Sequence, residues 1–207
     1  MKKRAIIFDL DNTIFPVPQI GHQLFAPLFA LIEQEGSQAE NLPNIKDEVM
    51  RRPFQQVAKD YHFNEALTSQ SLAILKGLAY EGSIEPFEDY ALVKQLPIDK
   101  FLVTTGFKKM QQSKIDRMQL QKDFKEIHII DPSTTSQVKK DVFAEIQHRY
   151  GFAPEEMLVV GDDLHSEIKA AQELGFDAIW YDKYRRYEEK TGVKKIADFR
   201  ELLALLQ

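Results

Sequence analysis

Short apolar runs punctuate the chain. They are AIIF (5–8), FLVTT (101–105), IHII (127–130) and MLVVG (157–161), with a weaker fifth, AIWY (178–181). Each is too short for a helix. All but IHII lack polar residues at alternate positions, the pattern of strands buried on both faces of a parallel sheet. IHII carries His128 and reads as a strand with one face turned to a helix or to solvent.

Helical periodicity fills the intervals. Residues 108–122 read as a mixed polar helix. In 139–150, Val142, Phe143, Ile146 and Tyr150 recur at three- and four-residue spacing, and Gly151 is a natural stop. Residues 166–174 repeat the pattern and end at Gly175, and 196–206 predict a last amphipathic helix. Strand alternating with helix implies right-handed crossovers and an α/β fold: a Rossmann-like parallel sheet with helices on both faces.

One segment breaks the alternation. No strand is evident between Phe15 and Pro97. Residues 20–36 predict a helix that Pro27 must kink or interrupt. Segments 47–61 and 64–78 predict two more, and 86–96 a fourth that opens on a proline. About 80 residues of helix exceed what a simple crossover needs. The expected organisation is a Rossmann-like core of 1–15 and 97–207, with 16–96 forming a small all-helical domain over one end of the sheet. The competing organisation is a single α/β domain with a long irregular helical excursion.

Composition narrows the setting. The 207 residues are 43% hydrophobic, enough for one sizeable core, and carry a formal charge of −5. That balance argues against a generic polyanion binder, so no nucleic-acid polymer is expected as a partner. Cysteine is absent, which excludes disulfides and thiolate ligands. The basic start MKKR is followed by an apolar run that Asp9 soon interrupts, unlike a signal peptide, and no stretch is long enough for a membrane helix. A soluble cytoplasmic protein is expected.

The polar residues converge on one end of the sheet. Asp9 follows the first strand, Thr104 and Thr105 end the second, Asp131 follows the third, and Asp162 and Asp163 follow Gly161. Ligands of parallel α/β sheets bind beyond the carboxyl ends of the strands. Asp9 and Asp11 share one parity along an extended backbone, so both carboxylates can face the same way. Their repulsion would be relieved by a hard divalent cation. With only oxygen donors at hand, Mg²⁺ is the natural candidate, with Asp162 adding an oxygen from across the sheet. Asp131, ahead of Pro132 and Ser133, could equally be a cap.

These elements resemble the haloacid dehalogenase-like superfamily of phosphotransferases. The matching signatures are D-x-D-x-T after a strand (Asp9, Asp11, Thr13), a threonine after a second strand (Thr104), a lysine opening a helix within VKKDVF, and GDDLHSE (161–167). The resemblance covers nearly the whole chain outside the inserted helices, which are similar to the family's early helical cap.

The resemblance implies Mg²⁺-dependent hydrolysis of a small phosphomonoester, a sugar phosphate or a nucleotide, through an aspartyl-phosphate. Asp9 would be the nucleophile, and Asp11 the proton donor and then the base. Thr104 would hold phosphoryl oxygens and a lysine would neutralise charge. Asp9, Asp162 and the backbone carbonyl of Asp11 would hold the metal. Relatives acting on carbon–halogen bonds generally lack the second acid, so Asp11 points to phosphoesters.

The chain departs from the family pattern in two places. Lys139 and Lys140 are adjacent with no proline after them; Lys139 opens the helix and is preferred. Glu167 stands where the family leads one to expect aspartate, which makes Asp163 a further candidate near the metal. Alternative readings are a phosphomutase of the same superfamily and a metal- or phosphate-binding module without turnover. Oligomeric state is not legible. His22, Arg51, Arg52 and Lys76 are the cap charges that could meet substrate, and His165 could line the pocket. Trp180 and Tyr181 read as packing groups, 181–190 as a solvated face. Phe15, Pro16 and Pro18 fall at the family's mobile hairpin.

Overall fold

The computed structural model of the protein describes residues 2–185 and 192–206. Its sheet contains β1 (Ala5–Phe8), β2 (Asp99–Thr105), β3 (Glu126–Ile130), β4 (Met157–Gly161), β5 (Asp177–Tyr181) and β6 (Lys194–Ile196). The order is β3-β2-β1-β4-β5-β6 and every pairing is parallel. This is the doubly wound order, with the switch point at β1. Ala5 pairs with Asp99 on one side and Met157 on the other. Central β1 and β4 are buried throughout, whereas edge strand β3 is only half covered, which explains why its run tolerates His128.

Strand parity sorts the core into two layers. Ile6 and Phe8 join Leu102, Leu158 and Val160 on one face. Ala5 and Ile7 join Phe101, Val103, Met157 and Val159 on the other. The second layer lies under Val142, Phe143 and Ile146 of α8 (Lys139–Tyr150), the periodic stripe expected there. Gly151 closes that helix at φ 64°, where a residue without Cβ is favoured. The first layer is covered by Met110 and Ile115 of α7 (Lys108–Met118) and by Phe199 and Leu202 of α10 (Phe199–Leu206).

The segment between β1 and β2 holds α1 (Pro18–Leu24), α2 (Ala26–Glu35), α3 (Leu42–Val49), α4 (Phe54–Asp60), α5 (Glu65–Gly77) and short α6 (Tyr90–Lys94). Their interior, including Leu28, Ile32, Ile45, Val57 and Leu75, is continuous with the first sheet layer. Proline sets the breaks. Pro27 cannot continue a helix from Gln23, so the expected single helix divides at Phe25, and Pro53 separates α3 from α4. Asn64 caps α5 through the Leu67 N–H, 2.8 Å away. The two chain passages that join this unit to the sheet touch: Phe87 N–H donates to the Ile14 carbonyl at 2.9 Å.

Three other expectations shift. The helix foreseen over 166–174 becomes a π-type turn, Leu164–Ile168, followed by α9 (Lys169–Glu173). The tail is not helical from Ile196. Residues 194–196 form β6, and Asp198 accepts the Arg200 N–H at 2.8 Å, so α10 starts at Phe199. The helix foreseen from Pro86 forms only at Tyr90, because the residues before it are tied elsewhere. Asp89 is buried and accepts the Tyr181 hydroxyl at 3.0 Å and the Phe199 N–H at 2.9 Å, with Lys183 Nζ at 3.1 Å. Of the segment 181–190, residues 186–190 lie outside the described residues. No helix among the described residues is long and apolar enough to cross a membrane.

Asp89→Ala leaves a buried hydroxyl and the first N–H of α10 without their acceptor. The expected cost is about 3 kcal/mol. Thermal unfolding should show a fall in Tm of roughly 6–12 °C for a chain of this size.

Candidate active site

Asp9 continues the parity of Ala5 and Ile7, whose side chains face α8. Its backbone remains in the sheet through Asp9 N–H to the Val160 carbonyl, 3.0 Å. Lys139 is the first residue of α8, a start marked by the Asp141 carboxylate accepting the Val138 N–H at 2.9 Å. Its Nζ donates to Asp9 Oδ1 and to Glu167 Oε2, each at 2.6 Å, and the residue is 7% exposed. Lys140 points away and pairs with Glu173 at the surface, 2.9 Å. The geometry therefore separates the two lysines.

Glu167 reaches this position by two devices. The π-type turn carries it past Gly161, and its second oxygen, Oε1, accepts the Asp163 N–H at 2.7 Å. A Cβ on Gly161 would overlap the Glu167 Cγ and Oε1 atoms. Glycine there leaves room for the longer acid. Asp162 is fixed from behind, its carbonyl accepting the Trp180 indole N–H at 2.9 Å, so Trp180 acts as a packing and anchoring group. Asp163 Oδ1 accepts the N–H of exposed His165.

Asp9, Asp162 and Glu167 each offer a carboxylate oxygen, all within 4.8 Å of one another. Three acids face one ammonium. Burial pushes the Asp9 carboxyl up to about 7 even though Lys139 pulls it down, and Glu167 and Asp11 push further. Asp162 is raised well above the usual range, first by burial and then by Glu167 and Asp9. Burial would lower the Lys139 ammonium, but Asp9 and Glu167 outweigh it and hold the group above its ordinary value. An excess of buried negative charge on oxygen donors suits a hard divalent cation.

Asp11 takes another direction. After Leu10 the backbone leaves the sheet in a tight turn. Ile14 N–H bonds the Leu10 carbonyl and Asn12 N–H the Phe15 carbonyl, each at 2.8 Å, with Asn12 at φ 57°. Asp11 is thereby turned toward α7, on the opposite sheet face from α8. Lys114 Nζ donates to both its oxygens, at 2.8 and 2.9 Å. Gln111 Nε2 donates to Asp11 Oδ2 at 3.1 Å and to Thr104 Oγ1 at 2.6 Å. Equal parity thus does not give a shared direction, and the Asp11 carboxylate stands outside the cluster of Asp9, Asp162 and Glu167.

Both acids nevertheless line one cavity of about 160 Å³, together with Thr104, Lys139 and Asp162. Its far wall comes from the helical unit: Val17, Phe25, Val49, Met50 and Leu75, with Arg51 and Arg52. Arg52 is braced by Glu48 and by Asp60 at 2.8 Å. The Asn12 side chain joins the two parts, accepting the Val17 N–H and donating to the Met50 carbonyl. Of the four charged residues expected to meet a substrate, His22 and Lys76 do not line this cavity. Asp131 is a cap, accepting the N–H groups of Lys108 and Ser133 at 2.9 Å. Thr13 is buried below the turn.

The sequence profile of the haloacid dehalogenase-like hydrolases matches residues 6–181. The chain belongs to this family. A glyceraldehyde 3-phosphate phosphatase of Methanopyrus kandleri is 23% identical over 99% of this hydrolase and 97% of its own length. A protein of the same name from Pyrococcus furiosus is 31% identical over 51% of the chain and 45% of its own. Two solved structures share the fold. A phosphatase of the family from Thermococcus onnurineus (18% identity, 98% and 97% coverage) gives a TM-score of 0.67. The magnesium-bound YfnB protein of Bacillus subtilis (21% identity, full coverage of both) gives 0.68.

Two residues of this hydrolase's site escaped sequence reasoning: Gln111 and Lys114. They are polar residues three apart on a helix directly after the second strand, where Lys108, Lys109, Gln112 and Asp116 are equally polar, so neither stood out. Gly161→Ala tests the packing of Glu167. It should leave the circular dichroism spectrum unchanged and lower hydrolytic turnover roughly a hundredfold, the scale of an ångström-sized misplacement.

Proposed function

We propose that this phosphatase hydrolyses a small phosphomonoester, with Mg²⁺, through a phosphorylated Asp9. The observation that supports it most directly is the division of labour between the two acids. Asp9 is buried and clamped by Lys139 through Oδ1, with Oδ2 unbonded among the described residues. Asp11 faces the same cavity from the opposite side. In the first step Asp9 attacks phosphorus, the bond to the leaving oxygen breaks, and the Asp11 carboxyl gives that oxygen its proton. In the second, the Asp11 carboxylate takes a proton from water, the water oxygen attacks phosphorus, and the bond to Asp9 breaks, freeing phosphate.

Thr104 and the N–H groups beside it hold phosphoryl oxygens, and Lys139 offsets charge on Asp9 and on the phosphoryl group. Mg²⁺ held by Asp9, Asp162 and the backbone carbonyl of Asp11 would supply further charge neutralisation. Glu167, bonded to Lys139 and to the Asp163 backbone, orients the lysine. Residues 16–96 act as a cap domain on a core of 1–15 and 97–207. Glyceraldehyde 3-phosphate, the compound in the names of the two archaeal relatives, heads the list of candidate substrates. The partner is a phosphorylated metabolite of the cytoplasm.

The test is phosphate release from a panel of phosphomonoesters that includes glyceraldehyde 3-phosphate. Release should require Mg²⁺ and fall at least about a thousandfold in Asp9→Asn. No release above blank across the panel overturns the reading. An isomerised sugar phosphate with little free phosphate would instead indicate a mutase, and phospho-Asp9 persisting for many minutes a module without turnover. Mg²⁺ should also raise Tm of the wild type, by roughly 5–10 °C at a hundredfold excess over Kd. That shift should vanish in Asp162→Asn.

A further inference from the structure

Lys114 lies inside α7 and is 2% exposed. An ammonium so deeply placed is costly unless fully partnered. Its partner is Asp11, engaged through both oxygens. The Phe15 ring covers a further side, its centroid 5.5 Å from Nζ. One helical turn earlier, on the same face, the Gln111 amide spans Asp11 and Thr104. One NH₂ group has two hydrogens, and both find an acceptor. Gly106 leaves space for this side chain, since a Cβ there would fall 2.9 Å from Gln111 Cγ and Cδ.

We infer that Lys114, with Gln111 beside it, is a positioning residue for proton transfer to the leaving group. It acts by fixing the direction of the Asp11 carboxyl group at the cavity. A carboxyl group on a turn between sheet and cap has two free torsions, and a proton donor must meet the leaving oxygen within hydrogen-bond reach. Lys114 removes those torsions by a bidentate contact from a rigid helix. Gln111 ties the same carboxylate to Thr104, so the donor and the phosphoryl-binding hydroxyl keep one spacing. The inference rests on the assignment of Asp11 as proton donor.

The leaving group separates positioning from simple support of the fold. An alkyl phosphate releases an alkoxide that needs a proton, whereas p-nitrophenyl phosphate releases a stable phenolate that does not. The readout is kcat/KM for both substrates, which reports the step that expels the leaving group, measured for wild type, Lys114→Met and Asp11→Asn. Lys114→Met should lose roughly a hundredfold on the alkyl phosphate and less than about tenfold on the aryl phosphate. Partial unfolding lowers both values by one factor and leaves their ratio alone. Should the methionine variant be insoluble, Lys114→Gln gives the same comparison. An unchanged ratio in the soluble Lys114 variant, beside a changed one in Asp11→Asn, overturns the inference and leaves the proton-donor assignment standing. An unchanged ratio in Asp11→Asn overturns both.

Discussion

Lys139 holds the buried Asp9 and Glu167 carboxyl groups together, its ammonium 2.6 Å from each. A buried ion pair is rarely a net gain over apolar packing, but removing one partner leaves an uncompensated charge at a cost of about 3–5 kcal/mol. The rest of the site is arranged around that constraint. The first turn of α8 must start at Lys139, Gly161 must lack a side chain, and the chain from Leu164 to Ile168 must widen into a π-type turn. One ammonium does not balance three acids, so the site is left with an affinity for positive charge. The fold keeps this electrostatically unfinished cluster because the sheet around it is packed on both faces.

The opposition of Asp9 and Asp11 follows from the sheet. A doubly wound sheet carries helices on both sides, and its first strand ends at the switch point between them. Asp9 is still in register and faces α8, while Asp11 lies beyond the turn and faces α7. Two acids separated by one leucine are thus attached to different layers of the protein. That separation buries one carboxylate beside Lys139 and sets the other at a cavity wall beside Lys114.

Much of this was legible in the sequence because buried parallel strands and amphipathic helices have distinct periods. The first five strands and the helix 139–150 lie where AIIF, FLVTT, IHII, MLVVG, AIWY and the Val142–Phe143–Ile146 stripe put them. What was missed has local causes. β6 is a three-residue strand whose only mark is KKI, too short for any period. The break at Pro27 was readable as an interruption but not as two helices with new directions, and the single helix expected over 47–61 is instead divided at Pro53 into the end of α3 and α4. Lys139 could be preferred over Lys140 from the helix start, yet only the third dimension shows Lys140 meeting Glu173. Lys114 was beyond reach in principle, since a lysine in a polar helix looks solvated until Asp11, more than a hundred residues earlier, is folded against it.

The indole of Trp180 gives the protein a further property. It is the one tryptophan in the chain, and its N–H is spent on the carbonyl of Asp162, at the edge of the acidic cluster. Indole emission responds to hydrogen bonding and to nearby charge. Its indole fluorescence, excited to the red of the seven tyrosines, therefore comes from one ring joined directly to the site. Any neutralisation or backbone shift at Asp162 is carried into an optical signal without a label, so the enzyme contains its own reporter of the state of its acidic cluster.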